Sequence, residues 1–245
     1  SDYCYSVAPD GSGGTYLGGY FNTYNGNPIT PTAVLHILSD GSMDPGFATV
    51  DDGSSYSIGA LRKRGNRLYI GGGFLTINGS SRPYVAALNA TTGALDSWTP
   101  DAPNSSVTKI EANDSLVFLT GNFIYVGGAY QPFQFATLKA SSGKLETSFP
   151  NGNSVVTGFK VDSTTLYMGG PFTNVGHYAQ GLAKVSNTTA SQDPAYPYTD
   201  GNVFAILPDG SGGFFVGGVF TTIGNTSRSY LAHILSSGVV DPAFN

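Results

Sequence analysis

Catalysis in this chain would have to come from its histidines and its sparse acids. The histidines are His36, His177 and His233. His36 and His233 hold the same place in Val34-Leu35-His36-Ile37-Leu38 and Leu231-Ala232-His233-Ile234-Leu235, so a metal pair is the first chemistry to consider. Zinc needs three or four ligands converging on one ion, and no third ligand accompanies these two. They read as packed or solvated side chains, and no metal or cofactor is expected. Acids recur as Asp44, Asp96, Glu146, Asp193 and Asp241. A carboxylate repeated at a regular interval serves the repeating structure, most simply by tying the turn beside it. Glycoside hydrolysis needs two carboxyls about 5–10 Å apart, and Glu111 and Asp162 are the acids left for that role. No catalytic residue is assigned. Nucleophile-elbow, phosphate-loop, His-Glu-x-x-His and Asp-x-Asp-x-Gly calcium patterns are all missing from the sequence.

Binding has better material. Five segments, 22–32, 75–83, 124–134, 173–180 and 221–229, differ in length and composition and read as loops collected on one face. They carry Tyr24 and Asn27, then Tyr125, Tyr130, Gln131 and Phe133, then His177 and Tyr178, which form the candidate ligand-binding set. Aromatic rings next to amides suit a sugar, whose apolar face stacks while its hydroxyls find partners. They suit a peptide equally, and the bland alternative is that the rings pack the loops against one another.

Composition narrows the partners. In 245 residues the charged fraction is 11%, aromatics reach 13% and the net charge is −5. Disorder needs more charge and fewer aromatics, and a net negative field repels nucleic acid and anionic membrane. The run Arg62-Lys63-Arg64-Gly65-Asn66-Arg67 reads as a hairpin turn with solvated flanks. One cysteine, Cys4, excludes a disulfide framework; it is expected to fill a small apolar slot. No apolar run is long enough for a membrane span. The six Asn-x-Ser/Thr sequons follow from the Ser/Thr-rich composition. Starting at Ser1, the sequence reads as an excised or processed piece.

The elements that must position these side chains follow from self-similarity. Tyr16-Leu17-Gly18-Gly19-Tyr20-Phe21 returns as Tyr69-Ile70-Gly71-Gly72-Gly73-Phe74 and Phe118-Leu119-Thr120-Gly121-Asn122-Phe123. It returns again as Tyr167-Met168-Gly169-Gly170-Pro171-Phe172 and Phe215-Val216-Gly217-Gly218-Val219-Phe220. The terminal phenylalanines are spaced by 53, 49, 49 and 48 residues. Each copy has an apolar strand before this element, a third strand after it, a turn glycine and a short closing segment. The fourth copy lacks the turn glycine. Four short antiparallel strands per repeat, with no helical period, predict an all-β, five-bladed β-propeller. It is read as one domain over 1–245, with repeats of approximately 1–50, 51–101, 102–150, 151–199 and 200–245.

The Asp-Gly turn, Gly-Gly-x-Phe, Leu-Ala-x-Leu and Asp-Pro-x-Phe elements resemble the delta-60 repeat family of bacterial surface and secreted proteins. The first and fifth repeats carry the likeness best, through Asp10-Gly11, Asp44-Pro45-Gly46-Phe47, Asp209-Gly210, Arg228 and Asp241-Pro242-Ala243-Phe244. The second keeps Arg82, while the third and fourth lack the arginine and Glu146 replaces Asp. The resemblance implies a propeller at a cell surface or outside the cell and implies no catalytic role. The expected function is an extracellular recognition module, an adhesin head or fibre tip engaging a glycan or a surface protein, with homo-oligomers formed through flanking regions. A structural or protein-interaction propeller without a small ligand is the alternative, and a carbohydrate-active hydrolase ranks last.

Overall fold

The computed structural model describes every residue except 1, 54–57, 150, 151, 163 and 245, and only the backbone of His177. Every regular element among the described residues is a β-strand. No helix is long and apolar enough to cross a membrane.

The first repeat is built from β1 (Tyr3–Pro9), β2 (Thr15–Tyr24) and β3 (Asn27–Ile37). The second has β4 (Ile58–Arg64), β5 (Arg67–Gly72), a ribbon of β6 (Thr76–Ile77) and β7 (Ser80–Ser81), and β8 (Val85–Asn89). The third follows with β9 (Val107–Ala112), β10 (Leu116–Gly121), the ribbon β11 (Tyr125–Val126) and β12 (Ala129–Tyr130), and β13 (Phe135–Lys139). The fourth has β14 (Gly158–Val161), β15 (Thr165–Gly169), β16 (Asn174–Val175), β17 (His177–Tyr178) and β18 (Leu182–Ser186). The fifth has β19 (Asn202–Pro208), β20 (Phe214–Val219), β21 (Thr222–Ile223), β22 (Thr226–Ser227) and β23 (Leu231–Ile234). In each repeat the long strands form a three-stranded antiparallel sheet with the Gly-Gly strand in the middle.

Local chemistry explains these boundaries. Asp10 turns β1 into β2 because its Oδ1 accepts from the backbone N–H of Ser12 (2.7 Å) and of Gly14 (2.9 Å). Gly11 and Gly13 take the left-handed φ values of 87° and 97° that this turn requires. The Gly-Gly elements serve two purposes. The second glycine lies at a register shift in the first, second, third and fifth repeats, where the preceding strand bulges. The first lets the following repeat pack close: a Cβ on Gly71 would stand 2.7 Å from a Val107 methyl, and one on Gly18 2.9 Å from an Ile58 methyl.

The expected fourth strand shrinks to one bridge per repeat: Ile37 with Met43, Leu88 with Leu95, Leu138 with Leu145, Val185 with Gln192 and Ile234 with Val240. The reason lies in the next residues. In four repeats the acid accepts with Oδ1 from the N–H two residues on, at Gly46, Trp98, Ala195 and Ala243, and so bends the chain away from the sheet. Proline in three of these turns has no N–H to extend a ladder. In the fourth repeat Ala190 takes the turn position, at φ 55°, that Gly41, Gly93, Gly143 and Gly238 fill elsewhere.

The strands group into two compact units, Ser1–Gln131 with Ala136–Glu146, and Pro132–Phe135 with Thr147–Asn245. In the first unit one apolar cluster joins the first and second repeats around Ile58, Leu68, Ile70 and Phe74, and another joins the second and third around Tyr69, Trp98, Leu119 and Phe123. In the second unit Tyr167, Val203, Phe214, Phe220 and Ile223 join the fourth and fifth. Each core therefore lies between successive sheets. Cys4 departs from expectation: it is exposed on β1, whose outward residues Tyr3, Tyr5 and Val7 are exposed as well.

Candidate functional site

The recurring acids each meet a base. Asp44 Oδ2 lies 2.8 Å from His36 Nδ1, and Asp241 Oδ2 lies 2.8 Å from His233 Nδ1. Asp96 pairs with Arg67 at 3.1 Å, Glu146 with Lys139 at 3.6 Å, and Asp193 with Lys184 at 3.3 Å. Where the acid is an aspartate, one oxygen closes a turn while the side chain also meets a basic side chain, so each acid is engaged by its own repeat. Arg67 reaches further, donating from Nη1 to the Ala140 carbonyl of the third repeat (2.6 Å). Arg67→Ala is expected to lower stability by about 1–2 kcal/mol, seen as an earlier urea midpoint.

The two histidines sit in clasps. His36 Nε2 lies 3.3 Å from Asp10, so both ring nitrogens face a carboxylate, and the ring stacks on Tyr16 at 4.3 Å. His233 repeats this with Asp209 (2.9 Å), Asp241 and a stack on Phe215 at 4.5 Å. Carboxylates only accept, so the His233 imidazole in serving both must carry two protons. The bonds from Asp209 and then Asp241 raise the His233 pKa from its ordinary 6.5. Asp209 is held well below the usual carboxylate range by the Ser211 hydroxyl first and His233 second. Burial, reinforced by the charges of Asp10 and Asp44, pushes the Tyr16 hydroxyl up to about 12. These are structural fastenings, and among the described residues no group of three or more His, Cys, Asp or Glu could hold a metal ion.

The remaining acids are equally committed. Glu111 is buried on β9 and pairs with Arg62 Nε of β4 at 3.1 Å. Asp162 caps a turn, its Oδ1 accepting from the N–H of Thr164 and of Thr165. The basic run is a hairpin as expected, but its flanks are tied. Arg62 meets Glu111, Arg64 makes a two-pronged pair with Asp114, and Arg67 meets Asp96.

The segments expected to be irregular loops are two-residue-per-strand ribbons in four repeats, and in the first repeat a continuation of β2 and β3. The signal was present: Phe74-x-x-Ile77-x-Gly79, Phe123-x-x-Val126-x-Gly128, Phe172-x-x-Val175-Gly176 and Phe220-x-x-Ile223-Gly224 recur. Ile77, Val126, Val175 and Ile223 are wholly buried and anchor the ribbons. The linkers between repeats fasten them through Asp2, Asn104, Asn153 and Asp200. Each accepts with Oδ1 from two successive backbone N–H groups, at 22–23, 124–125, 173–174 and 221–222. Asp200 falls to about 2 because the Thr221 hydroxyl and these N–H groups stabilise its charge.

The candidate binding residues divide on these ribbons. Tyr125 and Tyr130 are cross-strand partners on β11–β12, with ring centroids 5.5 Å apart, and Tyr130 is 61% exposed. Gln131 follows, its N–H donating to the Ile124 carbonyl. Phe133, at 8% exposure, is buried and supports the chain instead of offering a surface. Tyr24 is half-buried and donates its hydroxyl to the Gly41 carbonyl, while Asn27 opposite it is exposed. Tyr178 is 60% exposed, stands edge-on to Tyr198 at 5.4 Å and donates to Gln180 Oε1 at 2.9 Å. The backbone of His177 pairs with Val175; its side chain lies outside the described residues.

Two segments, residues 66–97 and 207–244, match the family model described as "Domain of unknown function (DUF5122) beta-propeller". No curated protein matches the chain. Among solved structures, the computationally designed Ika8 protein is similar at a TM-score of 0.54 and 13% identity, over 98% of this chain and 74% of that one. The extracellular domain of a putative one-component system from B. thetaiotaomicron gives a TM-score of 0.51 at 13% identity, over 98% of this chain and 33% of that one. At such identity the likeness concerns fold. Antiparallel repeats, family match and structural likeness together make this an all-β domain of the β-propeller type.

Proposed function

We propose that the chain is an extracellular recognition module, an adhesin head of delta-60 type with its five repeats closed into one ring, which engages a glycan or a protein surface through its ribbons. One observation carries the reading. The cross-strand pair at the ribbon base is Thr76 with Ser81 in the second repeat and Thr222 with Ser227 in the fifth, but Tyr125 with Tyr130 in the third. The fold is satisfied by small hydroxyl residues at that position, so two large, exposed rings there are in excess of what folding needs. Exposed tyrosine offers wide contact area at low entropic cost, with a hydroxyl for polar partners. The surface-protein resemblance of the repeats supports the extracellular setting.

A second reading, a propeller serving partner proteins with no small ligand, is favoured by Tyr178, whose hydroxyl and ring are already held by Gln180 and Tyr198. A glycan array with Tyr130→Ala separates the two. The first reading expects specific binding that falls by about tenfold or more in the variant, with the urea midpoint unchanged because the side chain is exposed. An array that stays silent for the wild-type protein removes the glycan reading.

A further inference from the structure

A recess lies at the opposite end of the strands from the ribbons, where β5 begins. It has a volume of about 370 Å³ and opens between the second and third repeats, beside the β4–β5 and β9–β10 turns. That size falls within the range of small-molecule sites, about 300–1,000 Å³.

Its walls are polar but electrically balanced. Arg64 donates from Nε and Nη2 to the two oxygens of Asp114, each at 2.8 Å, and Arg67 pairs with Asp96 at 3.1 Å. All four residues line the recess. Two cations matched by two anions leave no net field to select a charged ligand. They present donors and acceptors side by side on planar, held groups.

Asn113 supplies the observation that points to a ligand. It is only 7% exposed and lines the recess. Its Oδ1 accepts from the N–H of Ser115 (2.9 Å) and of Leu116 (2.8 Å), which fixes the orientation of the amide. Among the described residues its Nδ2 meets no protein acceptor and keeps contact with solvent, so it is open to a ligand in the recess. Asn66, on the facing turn, likewise has its Oδ1 engaged, by the Thr91 hydroxyl. Tyr69 adds aromatic surface to the wall.

We infer that this recess binds one neutral, polyhydroxylated ring, a monosaccharide unit, with Asn113 Nδ2 donating to a hydroxyl and the Arg64–Asp114 and Arg67–Asp96 pairs addressing its neighbours. Sugar hydroxyls both donate and accept, which matches a wall of alternating donors and acceptors without net charge. The site is held by hairpin turns cross-linked between repeats, so little ordering accompanies binding. It stands independently of the ribbon tyrosines.

The test is side-chain amide NMR of the whole chain with glucose, galactose, mannose and N-acetylglucosamine, each to roughly ten millimolar, and inorganic phosphate as the charged control. At least one sugar should shift the Asn113 amide resonances saturably, while phosphate leaves them in place. Ser141→Trp, which puts an indole from the exposed rim into the recess, should weaken that response about tenfold or more; Asn66→Ala repeats the test should the tryptophan variant fail to fold. Tyr130→Ala should leave the response intact. The inference is overturned if no sugar perturbs Asn113, if phosphate outcompetes the sugars, if binding survives both recess variants, or if Tyr130→Ala abolishes it.

Discussion

Gly121→Ala should lose about 3 kcal/mol of stability. A Cβ there would collide with the carbonyl oxygen of Ser106 and come within 2.9 Å of the Val107 Cα. Both obstacles are backbone, so neither can rotate away as the end of a side chain would. The crowding exists because the register shifts at Thr120 and Gly121, and that shift lets the Asn122 N–H donate to the same Ser106 carbonyl at 2.9 Å. Relieving the clash would break the bond that defines the bulge. Gly73→Ala is the matched control, since a Cβ at Gly73 meets nothing within 4 Å. It should be neutral or stabilise slightly, by up to about 1 kcal/mol, through the unfolded chain. Urea midpoints for the two variants decide the point, and similar losses for both would refute the steric account.

Stability should also peak at mildly acidic pH, and His233 should shape the alkaline side. Its pKa is raised from 6.5 in the folded protein, by Asp209 first and Asp241 next. The stability it confers is complete below 6.5 and fades as pH climbs through the folded value. Asp209 and Asp241 have lowered values, the latter through His233 first and the Ala243 N–H second. Their contribution is complete above the ordinary 3.8 and fades as pH falls through the folded values. The clasp is whole only between these limits, with aspartates charged and imidazole doubly protonated. His233→Gln removes the titrating group, so the decline of wild-type stability from about pH 6 to about pH 9 should flatten in the variant. Parallel urea-midpoint profiles over that interval would show that the clasp does not govern the alkaline limb.

The repeat was legible because its strongest signals, Gly-Gly and the phenylalanine that follows, answer to backbone geometry, which tolerates few substitutes. The closing strand is shorter than its composition implies. Met43-Asp44-Pro45-Gly46-Phe47 has the composition of a strand end, yet the Asp44 carboxylate takes the N–H of Gly46 and ends the pairing after one bridge. The ribbons are harder to see in the sequence, because their differing tyrosines mask the shared buried position at Ile77, Val126, Val175 and Ile223. The histidine clasps lay beyond sequence reasoning for another cause. Asp10 and His36 are 26 residues apart, and only the register of β2 against β3, with Tyr16 opposite His36, brings them together. Of the candidate binding residues, the Tyr125–Tyr130 pair came together as a surface feature, while Phe133 turned inward because an aromatic ring in a short segment satisfies a core as readily as a ligand.

In every repeat a base answers a fixed acid, but it arrives from different addresses. It comes from the third long strand, opposite the aromatic residue of the second, at His36, Lys184 and His233, from the start of the second at Arg67, and from the end of the third at Lys139. Strands are consequently poor units of inheritance here. An exchange that carried Arg67 into the first repeat would bring two basic side chains to Asp44, and the reciprocal exchange would leave Asp96 with none. Recombination that cuts between repeats preserves every such match, so a lineage that duplicates and shuffles whole repeats can diversify its ribbons and recesses without renegotiating the charges that hold each sheet to its turn.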